Sequence, residues 1–342
     1  LSHSNLNPGD WVDINYDGNL DIPAGSGIYL NGGNGALFAP VTIPRLKSFI
    51  DIDKDGDLDL AGEIYPSINI SILRNNGALA FTEVTGNYFR DTDGSFNFLD
   101  YNNDGYPDIV ISGRYSLDYK LHTTLYKNDG AGRFTEQKQI LIDGLSKTRI
   151  KTGDVNSDGK DDIILAGLNN EGKFSLLLYL NNNGVNFNKI SIPMQAGIAE
   201  GSADLADVNN DGLADIIFAG SNADRSAGYF KVLRNNGDQT FSEIFDLPGL
   251  NSPGTCNITD FNNDGAIDII VNGSIILQNI SAVPNLNPQK VVVTSAALKD
   301  SGVEFQWSGT DDKTPSAGLT YNLRIGRSAG ASDVQATTSL SS

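Results

Sequence analysis

A nine-residue pattern, Asp-x-[Asp/Asn]-x-Asp-Gly-x-x-Asp, occurs six times along the chain, beginning at Asp13, Asp51, Asp100, Asp154, Asp207 and Asp260. The intervals between starts are 38, 49, 54, 53 and 53 residues. Near-constant spacing of one motif means a supersecondary unit copied along the chain. Such a unit buries its apolar surface only against its neighbours, so the fold must be an array. Isolated clusters of Asp, Asn and Gly make ordinary turns, but six copies in phase call for a shared chemical reason.

Within each copy the oxygen-bearing side chains fall at positions one, three, five and nine. They are Asp13, Asn15, Asp17 and Asp21; Asp51, Asp53, Asp55 and Asp59; Asp100, Asn102, Asp104 and Asp108; Asp154, Asn156, Asp158 and Asp162; Asp207, Asn209, Asp211 and Asp215; and Asp260, Asn262, Asp264 and Asp268. Position seven varies (Asn19, Asp57, Tyr106, Lys160, Leu213, Ala266) and would offer its backbone carbonyl. Position six is always glycine, which permits the sharp turn that points alternate oxygens inward. Oxygen ligands without His or Cys suit a hard cation, and about six Ca²⁺ ions are expected per chain. An EF-hand loop opens in the same way but closes with Glu at position twelve and leads into a helix. Here the loop closes at position nine, and β-branched runs such as Ile163–Ile164, Ile216–Ile217 and Ile269–Ile270 follow, which favours a strand. The second copy is the most acidic, with Asp57 at position seven, and is expected to bind at least as tightly as the others.

The chain has 42 acidic and 24 basic residues, a formal charge of −18. The ligand side chains alone include 19 Asp and 5 Asn. Most of the imbalance is therefore loop chemistry, and six divalent ions would reduce −18 to −6. Without metal the crowded carboxylates repel, so stability is expected to depend on calcium. The absence of a basic stripe argues against a nucleic-acid partner, and no stretch is long and apolar enough to span a membrane. The single cysteine, Cys256, alternates with Ile258 and reads as a buried strand residue. Weak multi-Asp loops suit millimolar extracellular calcium, so a secreted or cell-surface location is expected, with any export signal removed or lying upstream. The sequons at Asn69, Asn257, Asn272 and Asn279 would matter only in a eukaryotic secretory host.

Each unit has further landmarks. An extended stretch such as Ser95–Phe98 leads into the loop. An apolar strand follows, ending in a small residue and glycine (Ala166–Gly167, Ala219–Gly220). A second strand runs into Asn75-Asn76-Gly77, Asn128-Asp129-Gly130 or Asn235-Asn236-Gly237, which are strong hairpin turns. A last short strand carries Phe81, Phe134, Phe187 or Phe241. Four antiparallel strands in roughly 50 residues, repeated without helical periodicity, predict an all-β fold of β-propeller blades. The Phe and paired Ile/Leu positions read as core between blades.

The Asp-x-Asp-x-Asp-Gly-x-x-Asp loop, the following strand and glycine, and the Asn-Asn-Gly turn together resemble the FG-GAP or VCBS repeat of integrin α-chain propellers and many secreted bacterial proteins. The resemblance covers residues 10–280. It implies calcium loops on one rim of a propeller, often near a binding surface, and a ring that is commonly seven-bladed. Six repeats are visible, so a ring of six or seven blades is expected within residues 1–281. The sixth unit lacks a Phe-bearing last strand after Ile275–Ile280, and that strand is expected from Leu1–Asn7 or from upstream sequence. Residues 282–290 read as a Pro/Asn linker. Residues 291–342, with Trp307 and Tyr321 in alternating strands, resemble part of a fibronectin type III-like module, and Asp311–Pro315 with Gly318–Tyr321 is similar to modules of Bacteroidetes-type secreted proteins.

Catalytic signatures are lacking. The two histidines, His3 and His122, are far apart, and no nucleophile elbow, zinc-protease motif or phosphate loop occurs. The expected role is non-catalytic: a calcium-stabilised module of a larger secreted or surface protein, for adhesion or for binding a protein or glycan. A lectin or a carbohydrate-active enzyme using the propeller as scaffold is the alternative. Irregular loops of the third unit, Tyr88–Asp91 and Arg114–Lys120, place aromatics beside Arg and Asp and are the candidate ligand contacts.

Overall fold

The computed structural model describes residues 12–24, 27–33, 36–37, 41–42, 45–64, 69–84, 89–90, 94–115, 118–192, 194, 198–224, 226–250, 256–262, 264–271, 275–280, 289, 291–299, 302–310, 320–325 and 335–341. Leu1–Asn7, most of the 282–290 linker, Tyr88, Asp91 and Asp311–Pro315 lie outside them. The described residues form strands and turns, with no helix among them.

Six antiparallel sheets follow one another in chain order, with strands adjacent in sequence adjacent in each sheet. The third sheet is Ser95–Leu99, Asp108–Arg114, Leu121–Asn128 and Phe134–Glu136. The fourth is Ser146–Gly153, Asp162–Leu168, Phe174–Asn182 and Asn186–Ile192. The fifth is Ile198–Ala206, Asp215–Asn222, Gly228–Asn235 and Phe241–Leu250. The second has the same four elements, Arg45–Ile50, Asp59–Ile64, Asn69–Asn75 and Phe81–Glu83, and gains Phe89–Arg90 against its third strand. The first and sixth sheets have three strands each among the described residues. The sixth is Cys256–Thr259, Asp268–Val271 and Ile275–Leu277. Beyond it, Val292–Lys299 pairs with Gly302–Ser308, and Thr320–Ile325 with Gln335–Ser341.

In the third, fourth and fifth sheets the strand after the loop is buried on both faces, which explains its unbroken apolar run. Side chains alternate across a strand, so its two halves serve different neighbours. In the fourth sheet Ile163 and Leu165 pack with Leu99, Val110 and Leu125 of the third. Ile164 and Ala166 pack with Ile216, Phe218 and Leu233 of the fifth. Ile217 and Ala219 of the fifth sheet then meet Ile269 and Val271 of the sixth. Equivalent layers join the second sheet to the third and the first to the second. Phe81, Phe134, Phe187 and Phe241 pack at the margins of these layers, as expected for core between units. Cys256 is half-buried against the layer between the fifth and sixth sheets, not enclosed as the sequence suggested, because its strand lies at the sheet's edge. Burial pushes its thiol up to about 11. No layer joins the sixth sheet to the first among the described residues, so they form a row of sheets without a visible closure.

A second interaction ties the sheets together. At the end of the third strand of the third to sixth units an asparagine holds its own unit to the preceding one. Asn128 Nδ2 donates to the Ile52 carbonyl of the preceding loop at 2.8 Å and to its own Pro107 carbonyl at 3.0 Å. Asn181 does the same with Tyr101 and Asp161 at 2.8 and 3.1 Å, and Asn235 with Val155 and Ala214 at 2.8 and 3.2 Å. Asn279 reaches Val208 at 2.6 Å. The amide oxygen meanwhile accepts turn N–H groups from Gly130, Gly184 or Gly237. At the first interface the clasp is incomplete: Asn75 Nδ2 reaches only its own Leu58 carbonyl, and its buried Oδ1 has no partner. Replacing Asn235 with Ala strands two buried carbonyls and a turn N–H, so Asn235→Ala should lower unfolding free energy by about 2–4 kcal/mol. Urea unfolding measures this, and a change below about 0.5 kcal/mol would show that the clasp contributes little.

Candidate metal centre

All six loops share one backbone course. The position-six glycines Gly18, Gly56, Gly105, Gly159, Gly212 and Gly265 have φ of 80–97°, a region that strains any residue with a Cβ. Position four is also left-handed in five loops, at Tyr16, Lys54, Asn103, Ser157 and Asn210, with φ of 54–58°. That course brings the position-one carboxylate under the turn. Asp154 accepts the Asp158 and Gly159 N–H groups at 3.0 and 2.8 Å. Asp13, Asp100, Asp207 and Asp260 are bonded in the same way, and Asp51 accepts from Gly56.

The position-nine carboxylate is fully buried in every loop: Asp21, Asp59, Asp108, Asp162, Asp215 and Asp268. One oxygen takes the N–H of the clasp asparagine, as Asp162 does from Asn181 at 2.7 Å. The other takes the N–H of position two, as from Val155 at 2.9 Å. In the third loop this second bond is missing, and Asp108 Oδ2 is buried without a partner. These residues therefore brace loop, strand and turn together.

Neighbouring loops also touch. Position four of one reaches the position-six carbonyl of the next: Asn103 to Gly159 at 3.2 Å, Ser157 to Gly212 at 2.7 Å and Asn210 to Gly265 at 3.2 Å. Lys54 stands over the Tyr106 ring of the following loop, 5.4 Å from its centroid. Asp161, at position eight of the fourth loop, accepts the Asp100 N–H of the third at 2.9 Å. The third to sixth loops thus lie side by side along one edge of the row.

The donor set fits a hard cation. In the second loop, oxygens of Asp51, Asp53 and Asp59 lie within 4.8 Å of one another. Asp51 Oδ1 and Asp53 Oδ1 are buried there without a hydrogen-bond partner, as is Asp108 Oδ2 in the third loop. Buried, unpartnered carboxylate oxygens are costly unless something positive meets them. In the third and fifth loops Asn102 Nδ2 and Asn209 Nδ2 are buried and unpartnered, while each Oδ1 accepts the position-five N–H, at 2.9 and 3.0 Å. The position-seven residues Asn19, Asp57, Tyr106, Lys160, Leu213 and Ala266 each donate their N–H to the position-five carboxylate, which fixes the plane of their carbonyls.

Cations missed by the sequence reading stand beside these carboxylates. Lys127 Nζ is 3.1 Å from Asp104, Lys160 Nζ 2.8 Å from Asp158, Arg234 Nη2 3.3 Å from Asp211, and Arg74 Nη1 3.1 Å from Asp53. A short cationic row was also overlooked: Lys147, Arg149 and Lys151 are exposed at alternate positions of one strand, with Lys151 paired to Asp204. In the third unit, Arg114 donates to the Tyr119 carbonyl at 2.9 Å, His122 Nε2 lies 3.2 Å from Asp118, and the Tyr115 and His122 rings meet edge-on. Tyr119 is exposed, so this hairpin presents aromatic and charged groups at the surface.

A model of the FG-GAP-like repeat matches residues 100–165, 154–218 and 207–271, together half of the chain. The chain belongs to the FG-GAP-like repeat family. Each matched FG-GAP-like segment starts at the first Asp of one loop and ends in the strand after the next, so it spans two loops and the strands between them. The first two loops precede the matched FG-GAP-like region and are tied to it by the repeat and the shared backbone course. No curated protein matches the chain.

Burial pushes the Asp59, Asp108 and Asp162 carboxyls up to about 7, and those of Asp51 and Asp215 up to about 6. In the unfolded chain a carboxyl titrates near its ordinary value of about 4. Between about pH 4 and pH 7 the metal-free folded state therefore binds more protons than the unfolded state, and stability is lost as pH rises. In EDTA the melting temperature should be higher at pH 5 than at pH 7.5. A melting temperature that rises with pH across this window would show that the position-nine carboxylates are not held against ionisation.

Proposed function

We propose that the chain is a non-catalytic, calcium-stabilised extracellular β-propeller module of a larger secreted or cell-surface protein, serving adhesion or the binding of a protein or glycan. The observation that carries the calcium reading is the set of buried, unpartnered oxygens on Asp51, Asp53 and Asp108 within loops built only of oxygen donors. When bound, Ca²⁺ would supply the positive charge that these carboxylates face. The chain's own residues do the rest. Position-one and position-nine carboxylates brace the loop, glycine turns it, and the clasp asparagines hold successive loops in line. Membership of the FG-GAP-like family and six stacked sheets support the propeller reading. The alternating strands after residue 291 are read as part of a fibronectin type III-like module.

For the ligand, the favoured surface is the third-unit hairpin with Arg114, Tyr115, Asp118, Tyr119 and His122. Planar aromatics beside hydrogen-bonding charges suit a sugar ring or a protein side chain. That surface binds without turnover in this reading, and product formation on a glycan panel would favour the carbohydrate-active alternative.

A thermal melt in EDTA and in millimolar CaCl₂, with metal counting by mass spectrometry, tests the calcium reading. About six ions per chain are expected. At 100 times its dissociation constant, each site adds about 2.7 kcal/mol. Asp108→Asn keeps the bond from Asn128 but removes the buried charge. It should shrink the calcium-induced rise in melting temperature and leave the EDTA value unchanged or higher. An equal fall in both conditions would mean that Asp108 is a brace alone.

A further inference from the structure

The cations beside the loops occupy related positions. Arg74, Lys127 and Arg234 each immediately precede the clasp asparagine of their unit, Asn75, Asn128 and Asn235. In the fourth unit that position is Leu180, buried in the core between the fourth and fifth sheets and unable to reach the loop. There the cation comes from position seven instead, as Lys160, and it meets the same position-five carboxylate. Loops three, four and five thus acquire one cation on the position-five Asp by two different routes. In loop two the contact falls on position three, Asp53. The two positions that supply a cation elsewhere hold Leu30 and Asn19 in the first unit, and Gln278 and Ala266 in the sixth.

We infer that Arg74, Lys127, Lys160 and Arg234 are built-in counter-ions that set how strongly each loop holds Ca²⁺ and how far the loop survives without it. The inference rests on the calcium reading proposed above. Loops three to five have three ligand carboxylates and one tethered cation each. Loops one and six have three ligand carboxylates and no such cation at either supplying position. Loop two has four ligand carboxylates and Asp57 against the single Arg74. A tethered ammonium or guanidinium competes for a ligand oxygen and repels a divalent ion, and it relieves carboxylate repulsion when no ion is bound. The loops therefore divide into a weaker class, three to five, which tolerates metal loss, and a tighter class, one, two and six, which depends on metal.

Calcium titration by calorimetry at physiological salt, paired with melts in EDTA and in saturating CaCl₂, tests the division. The probe is Ca²⁺ alone on the full chain. Arg234→Gln, at a half-exposed side chain, should tighten one site by about three- to tenfold, the effect of removing a unit charge close to a divalent ion. It should also lower the melting temperature in EDTA while leaving the value in calcium unchanged. Arg234→Lys should behave like the unaltered chain. Gln278→Lys, at an exposed position, should weaken one site by a similar factor and raise the melting temperature in EDTA. Unchanged calcium affinity in Arg234→Gln and Gln278→Lys, or equal melting shifts with and without calcium, would reduce these contacts to ordinary surface ion pairs. If the unaltered chain binds no calcium, the calcium reading fails and this inference with it. If it binds calcium and the variants do not move its affinity, only this inference fails.

Discussion

A primary amide sealed between two units governs the arrangement. Its nitrogen must find two carbonyls, and its oxygen a turn N–H, because water cannot reach them. Asn128, Asn181 and Asn235 meet those demands only when the neighbouring loop stands at one height and one angle. The hydrophobic layers pack the sheets together, and the amide adds a directional demand that apolar contacts lack. Aspartate in the same place would face two carbonyl oxygens with a third negative group, and leucine would leave them bare. The alignment of the loops, and with it the spacing of their carboxylates, depends on that amide.

Much of this architecture is legible in the sequence because it is periodic. The loops declare themselves by six glycines in phase. The two-sided burial of the following strand is visible in paired Ile residues that break polar–apolar alternation. The Phe of each last strand, read as core between units, packs partly buried at the margins of the layers. What escaped has a physical reason in each case. Asn235 opens an Asn-Asn-Gly sequence that is already accounted for as a turn, so nothing marks its side chain as reaching 80 residues back to Val155. Lys127 stands 23 residues from Asp104, and its meeting with that carboxylate follows from strand register, which a one-dimensional pattern does not carry. Lys160 was valued for its carbonyl, yet its side chain doubles back to Asp158. The left-handed backbone at position four is shared by Tyr16, Lys54, Asn103, Ser157 and Asn210, residues too unlike one another to form a signal.

The position-nine aspartates link fold and chemistry most tightly. A carboxylate at zero exposure, fixed by two backbone N–H groups, is part of the strand framework. The same group lies among the other acids of its loop. Charge placed there is felt at once by the loop, by the first turn of the strand and by the clasp asparagine whose N–H it accepts. The same hydrogen-bonded groups also join each loop to its neighbouring unit, beside the apolar layers.

The clasp has a direction. Each unit contributes the amide and presents, on its own loop, the carbonyl that the following unit's amide requires. Every junction from the second unit onward uses the same pair of groups, although the apolar side chains differ from one junction to the next. The hydrogen-bonding chemistry of the junction does not count how many units precede it. The number of units is consequently left to the geometry of accumulated twist and to the two ends of the row, while the sequence of each unit remains free to diversify on its exposed hairpins.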